Sequence, residues 1–343
     1  MDQNKTGKYL KYAIGEIVLV VIGILIALSI NNWNEKKKSE EKIDKLLVEV
    51  LQDLEHNVNL CIEQLKFYHA KDSLLLMATF NNLTREDYTS GKIENINRLT
   101  TWHNVDQLEV SAFNDLLEEL ENVPDRYKLA IKNLKILHKR SKMQYDKYSD
   151  IIENLSHHNI QKQADNYEWY SSLDAVNEDK INFMLNDFHY KNEVRHYYTI
   201  QRWFQGYIYN YLVLAKKSYK EIAVLINKPI NPESFQIDER ISNLIEGKWK
   251  YASYVQQIGG KNTPIDVANL LDLIYYMEDG SIMYNDVSDK EDSEELIVLS
   301  SDLESNPPIV NFRQSLSFFT AKFKGDTMEV YLNNEKVTFY KVK

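Results

Sequence analysis

The chain has 343 residues, of which 43% are hydrophobic and 27% charged, enough for two ordinary domains with cores of their own. A formal charge of -10 excludes binding to a phosphate backbone unless a local basic face overcomes it, and the sequence offers no such face, so nucleic acid is not an expected partner. The lone cysteine, Cys61, excludes an internal disulfide framework and a cysteine-rich metal site, and with only 10 glycines and 6 prolines long regular elements are expected.

From Ala13 to Ile30 the chain is apolar apart from Gly15, Glu16, Gly23 and Ser29. As a helix this stretch covers roughly 27 Å, close to the thickness of a hydrocarbon core. Tyr9 and Tyr12 at one end and Trp33 at the other fall where amphipathic rings settle at the headgroups, with lysines on both flanks. A single helix spanning a lipid bilayer is therefore expected. A cleaved signal peptide is the rival, because Lys5, Lys8 and Lys11 make a basic start and Ala27 with Ser29 a small-x-small pattern. Against cleavage, the helical pattern runs on through Asn31, Asn32 and Trp33 into a charged helix.

Orientation is not settled by charge counting, since Lys36, Lys37 and Lys38 compete with the N-terminal lysines. A short tail before one apolar helix is the layout of an uncleaved signal anchor in either orientation; of the two, the expectation adopted is a cell inner membrane anchor with the bulk of the chain on the extracytoplasmic, periplasmic side. Glu16 sits near enough to the interface to snorkel. Gly15, Gly23 and Ala27 share one helix face, and Gly23-x-x-x-Ala27 would let two such helices pack closely as a homodimer.

The run from Lys8 to Leu28, with Tyr12-Ala13-Ile14-Gly15-Glu16-Ile17-Val18-Leu19 at its centre, followed by Ile30-Asn31-Asn32-Trp33-Asn34-Glu35, resembles the opening of a family of uncharacterised bacterial single-pass membrane proteins, a domain of unknown function. The resemblance covers about a tenth of the chain. It implies a membrane location and carries no catalytic or binding residue.

After Trp33, Ile43, Leu47, Val50, Leu54, Val58, Cys61 and Leu65 recur at three- and four-residue steps and predict a long helix continuing the span. Val105, Leu108, Ala112, Leu116 and Leu120 predict a second helix, stopped before Pro124. Tyr127, Ile131, Leu134, Tyr145, Tyr148, Ile152 and Leu155 predict a third, and the longest runs from about Tyr190 to Asn227. Residues 34–228 thus read as an antiparallel helical bundle behind an anchor of residues 1–33. Trp203 and Tyr207 on the last helix are candidate binding residues, with core packing the competing account.

A dinuclear metal site is suggested by Glu193-x-x-His196 and the weaker Asp53-x-x-His56. Both histidines fall about 200° around their helices from core positions and should face water, so no metal and no cofactor is expected. Glu153, His157 and His158 read as a solvated helix end, and His138 as a hydrogen-bonded core histidine. No Gly-x-Ser-x-Gly, glycine-rich phosphate loop or His-Glu-x-x-His occurs, and Cys61 lies on an apolar stripe where a thiol is inert.

Beyond Pro232 the period changes from helical to alternating, which opens a second domain over residues 229–343. Strands are predicted at Trp249–Ile258, Leu270–Met277, Ser281–Asn285, Ser315–Phe323, Met328–Leu332 and Val337–Val342, with hairpin signals around Gly280, Gly325 and Asn333-Asn334. The fold class is therefore α+β, ending in a small antiparallel barrel or sheet. Gly247-Lys248-Trp249 at the first strand resembles the Gly-x-Trp start of lipocalin-like domains, which implies that Trp249 plugs one end of a barrel and marks a candidate ligand site. Only about 95 residues follow it, fewer than a complete eight-stranded barrel of that kind uses, so the sequence leaves open whether a cavity remains or its own side chains fill it. The acidic run Asp286, Asp289, Glu291, Asp292, Glu294 and Glu295 reads as a solvated loop.

These features lead to the expectation of a non-enzymatic, membrane-tethered protein for interaction or sensing with an unidentified protein partner. The alternative is capture of a small ligand or envelope component by the β domain.

Overall fold

The computed structural model describes residues 3–119, 123–172, 177–230, 235–258, 261–264, 272–278, 280–286, 293–315, 317–332 and 335–342. Helix α1 (Gln3–Thr79) runs 77 residues unbroken, roughly 115 Å at the α-helical rise. It contains no proline, and two side-chain patterns succeed one another along it. Residues 14–38 are exposed throughout, and this apolar first part is long enough to cross a membrane. From Ile43 onward the expected stripe turns inward, with Leu47, Leu54, Val58, Cys61 and Leu65 fully buried. The helix stops where Asn81 adopts a left-handed φ of 58° and the Asn82 N–H donates back to the Met77 carbonyl at 2.9 Å.

Two short helices, α2 (Arg85–Thr89) and α3 (Ser111–Glu118), lie in the crossover that follows. Then α4 (Lys128–Ile136) passes through one wide π turn, Leu137–Ser141, into α5 (Lys142–Asn166), and α6 (Glu178–Asn186) leads to the 38-residue α7 (Phe188–Leu225). Helix α7 is the centre of the bundle. Asn57 meets Tyr211 while Asp72 meets Gln201, so α1 and α7 are antiparallel. Lys162 pairs with Glu193 while Tyr145 packs near Tyr211, so α5 and α7 are antiparallel too. It follows that α1 and α5 run parallel to each other, and a long crossover must join them.

That crossover corrects one expected helix. Val105 and Leu108 lie on an extended strap, residues 102–110, and the helix begins only at Ser111; Leu120 is outside the described residues. Side chains of the long helices replace the strap's own hydrogen bonds. Tyr68 Oη donates to the Asn104 carbonyl at 2.8 Å, Tyr145 Oη to that of Asp106 at 3.0 Å, and Asn57 bonds both backbone groups of Glu109 at 2.8 Å. With these groups satisfied inside the core, the strap needs no helical ladder. His138 also departs from expectation. It stacks on Phe113 at 4.0 Å between ring centroids, neither ring nitrogen has a hydrogen-bond partner, and burial pushes its pKa down to about 4.

A short helix, α8 (Glu239–Ile245), precedes β1 (Gly247–Ile258). The strands β2 (Lys261–Pro264), β3 (Leu273–Glu278), β4 (Ser281–Asp286), β5 (Glu294–Asp302), β6 (Ile309–Gln314), β7 (Ser317–Lys324), β8 (Thr327–Leu332) and β9 (Glu335–Val342) follow. Each neighbouring pair is antiparallel, and β9 returns to β1, closing an eight-stranded barrel with β2 as a hairpin extension. Strands β2, β5 and β6 were not predicted by the alternation. Trp249, Tyr275, Ile282, Leu296, Val310, Phe312, Phe323, Met328 and Phe339 pack together as the barrel's interior cluster. Trp249 closes one end, fully buried, its indole N–H donating to the Ile245 carbonyl of α8 at 2.7 Å.

The acidic run is not one solvated loop. Asp289, Glu291 and Asp292 lie outside the described residues, but Glu294 and Glu295 belong to β5, and Glu295 is buried.

Candidate functional site

Helices and barrel meet along α7 in a buried seam, and β5 shows how the sequence makes it. Leu296 and Val298 point into the barrel cluster, while Ile297 and Leu299 join the core of the helical bundle. An unbroken apolar run, Leu296-Ile297-Val298-Leu299, is what a strand covered on both faces requires. Phe318 of β7 and Phe235 also pack on the helical side.

Two polar clusters cross the seam. In the first, Asp72 of α1 accepts through Oδ1 from Gln201 Nε2 at 2.5 Å and Gln205 Nε2 at 3.3 Å, and Gln205 Oε1 accepts from Arg313 Nη1 of β6 at 3.2 Å. Arg313 is fully buried, its Nε and Nη2 find no acceptor, and its guanidinium lies 4.1 Å above the Phe318 ring. Burial raises the Asp72 pKa to about 6, against the opposing pull of the two amides and Arg313. Burial also lowers that of Arg313 to about 9, against the opposing pull of Asp72. In the second cluster Lys216 of α7 pairs with Glu295 of β5, both under a tenth exposed, and Ser281 Oγ of β4 donates to Glu295 at 2.6 Å. Lys220 donates to Ser281 at 2.9 Å, and Tyr209 Oη to the Glu295 carbonyl at 2.7 Å.

Beside the first cluster the seam opens into a cleft of about 430 Å³. Its polar wall holds His69, Asp72 and Arg202; Leu76, Met77 and Phe318 supply apolar surface. The His69 ring lies 4.7 Å from that of Phe318, its Nδ1 is buried without a partner, and burial followed by the Arg313 charge lowers its pKa. The cleft pairs an apolar lining with a few convergent polar groups, the usual makeup of a small-ligand site. Its signal in the sequence is a polar residue in phase with an apolar stripe: Asp72 is four residues beyond Tyr68 and three before Leu75, and Gln201 and Gln205 flank Phe204. The barrel half of the site, Arg313, carries no comparable signal.

The residues singled out from sequence fall elsewhere. Trp249 is sealed in the barrel end. Trp203 and Tyr207 lie on the outer face of α7, about 200° around from Gln201 and Gln205, with Tyr207 stacked on Tyr148 at 4.4 Å and Trp203 half exposed. Ala13, Gly15, Glu16, Gly23, Ala27 and Ile30 all lie in the first part of α1, and nothing stands within 4 Å of a Cβ built at Gly15 or Gly23. His56 and His196 are exposed on separate helices, so the two carboxylate-histidine pairs do not assemble. Instead the fold brings His103 of the strap against Glu153 and His157 of α5.

The fold and seam define an α+β protein in which one long helix, apolar at its start, continues into a helical bundle docked on a closed barrel. A family described as "Family of unknown function (DUF6090)" matches residues 16–134, about a third of the chain, from the apolar part of α1 through the strap to α4. No curated protein and no solved structure matches the chain.

Proposed function

We propose that the protein is a non-enzymatic, single-pass membrane protein that holds a binding site away from the bilayer, and that the seam cleft is this site. The observation that carries the reading is the continuity of α1. The same unbroken helix supplies the exposed apolar stretch near residues 14–33 and then His69, Asp72, Leu76 and Met77 of the cleft. From Trp33 to Asp72 it rises roughly 60 Å, so the ligand comes from the aqueous phase or from a partner, not from within the lipid. The cleft suits a small molecule with an apolar body and a polar group to meet Asp72 and Arg202. Binding inside the barrel is less favoured, because its inward side chains pack on one another. The non-enzymatic reading draws its support from Cys61, the nucleophile the sequence offers, which is sunk in the core with its thiol pKa raised by burial.

Membrane extraction combined with reporters placed after Lys343 tests this. The full chain should resist alkaline extraction and require detergent, deletion of residues 1–33 should release it, and the C-terminal reporter should be active outside the cytoplasm. Release of the full chain at alkaline pH would refute the tether. A reporter active only inside would move the search for a ligand to the cytosol.

A further inference from the structure

Glu153 and His157 are four residues apart on α5 and so lie one above the other on one face. His103 reaches them from the strap, and the three ligand atoms, one from each residue, lie within 4.8 Å of one another. Donors bound to one zinc ion at about 2.1 Å in tetrahedral geometry are roughly 3.4 Å apart, so an ion would draw the three groups in from their spacing of up to 4.8 Å.

His103 is held in place on both sides. The Trp102 carbonyl accepts from Tyr197 Oη at 2.8 Å and from Lys71, the Asn104 N–H donates to Tyr68 Oη at 3.2 Å, and Asn159 Nδ2 donates to the Thr100 carbonyl at 2.9 Å. These bonds fix the backbone on either side of His103, and the Nδ1 of its imidazole is buried with no hydrogen-bond partner. An unpaired buried nitrogen carries a desolvation cost that a metal or donor would offset. The sequence alone read Glu153 and His157 as a solvated helix end, because His103 lies 50 residues from Glu153 in the chain and nothing local connects them.

We propose that His103, Glu153 and His157 form a binding site for one divalent transition-metal ion, zinc in the first instance. Two imidazoles, one carboxylate and an open fourth position match the donor set of an accessible zinc site. The ion would fasten the strap to α5, adding a bond between two elements otherwise joined by hydrogen bonds and packing.

Zinc chloride titrated calorimetrically into the full chain, purified in detergent and stripped with a chelator, tests the site. One equivalent should bind and raise the thermal midpoint, as any ligand selective for the folded state does. His103→Ala and His157→Ala should each abolish this equivalent, and Glu153→Gln should weaken it on the order of tenfold or more. The control His56→Ala/His196→Ala, at exposed histidines elsewhere, should retain it. Cobalt substituted for zinc should give a ligand-field spectrum that disappears with the same variants. His157 is exposed, so its variant carries the test even if His103→Ala fails to fold. Absence of saturable zinc binding, or an equivalent that survives His157→Ala, would overturn the proposal.

Discussion

Gln205 stands between Arg313 and Asp72, accepting from the guanidinium through Oε1 at 3.2 Å and donating to the carboxylate through Nε2 at 3.3 Å. One amide on α7 thereby joins a barrel strand to the helix that begins with the apolar segment. The charges of its neighbours fix which way the amide faces. Gln205→Leu keeps the approximate volume but leaves a buried cation and a buried carboxylate without their shared partner. It should cost about 3 kcal/mol, read as a lowered urea midpoint at neutral pH. An unchanged midpoint would mean that water already serves both groups.

The Lys216–Glu295 pair should behave as buried ion pairs do when cut on one side. Lys216→Met alone strands the Glu295 carboxylate and should destabilise by about 3–5 kcal/mol. Adding Glu295→Gln should recover a large part, because a neutral amide tolerates the site and still meets Ser281. A double-mutant cycle showing additive losses would argue against coupling.

Acid should weaken the fold through His138. Its folded pKa, about 4, lies below its ordinary value near 6.5, so between those limits the unfolded chain takes up a proton that the folded chain refuses. Its contribution is complete above about pH 6.5 and declines as pH falls through this window. His138→Phe should therefore gain on the parent protein progressively toward pH 4 in thermal unfolding. Asp72 acts in the opposite sense. Its folded pKa of about 6 exceeds the carboxylate value of 3.8, so its ionisation opposes folding as pH rises from about 4 to 6. Asp72→Asn should remove that slope and leave the histidine slope in place.

Two tryptophans should separate packing from surface exposure. Trp249→Ala opens a hole in the barrel end and breaks the bond to Ile245, and it should cost about 4 kcal/mol. Trp203→Ala, half exposed beside Tyr148, should cost less than about 1 kcal/mol. Similar large losses at both positions would show that the outer face of α7 is covered in the native protein.

At the turn into β4, Gly280 has a φ of 76°, and a Cβ there would lie 2.9 Å from the Phe235 carbonyl oxygen. Gly280→Ala should destabilise by about 2 kcal/mol from the backbone conformation and the close contact together. A thermal midpoint equal to that of the parent protein would show that the turn adapts.

Local patterning by itself determined the elements whose physics is local. The apolar run of residues 13–30, the stripe from Ile43 to Leu65, the length of α7 and the alternating hairpins were legible because helices and hairpins repeat at fixed short periods. The buried Trp249 at the start of the first barrel strand was implied by the resemblance of Gly247-Lys248-Trp249 to a Gly-x-Trp strand opening, not by any period. Only the tertiary structure decided the rest. The strap over residues 102–110 carries helix-like spacing, yet tyrosines and asparagines from distant helices satisfy its backbone and hold it extended. The two-sided burial of β5 hid its alternation. Arg313 and Asp72, like His103 and Glu153, become neighbours only when separate elements pack, since contacts between distant parts of a chain depend on docking geometry and leave no period in the sequence.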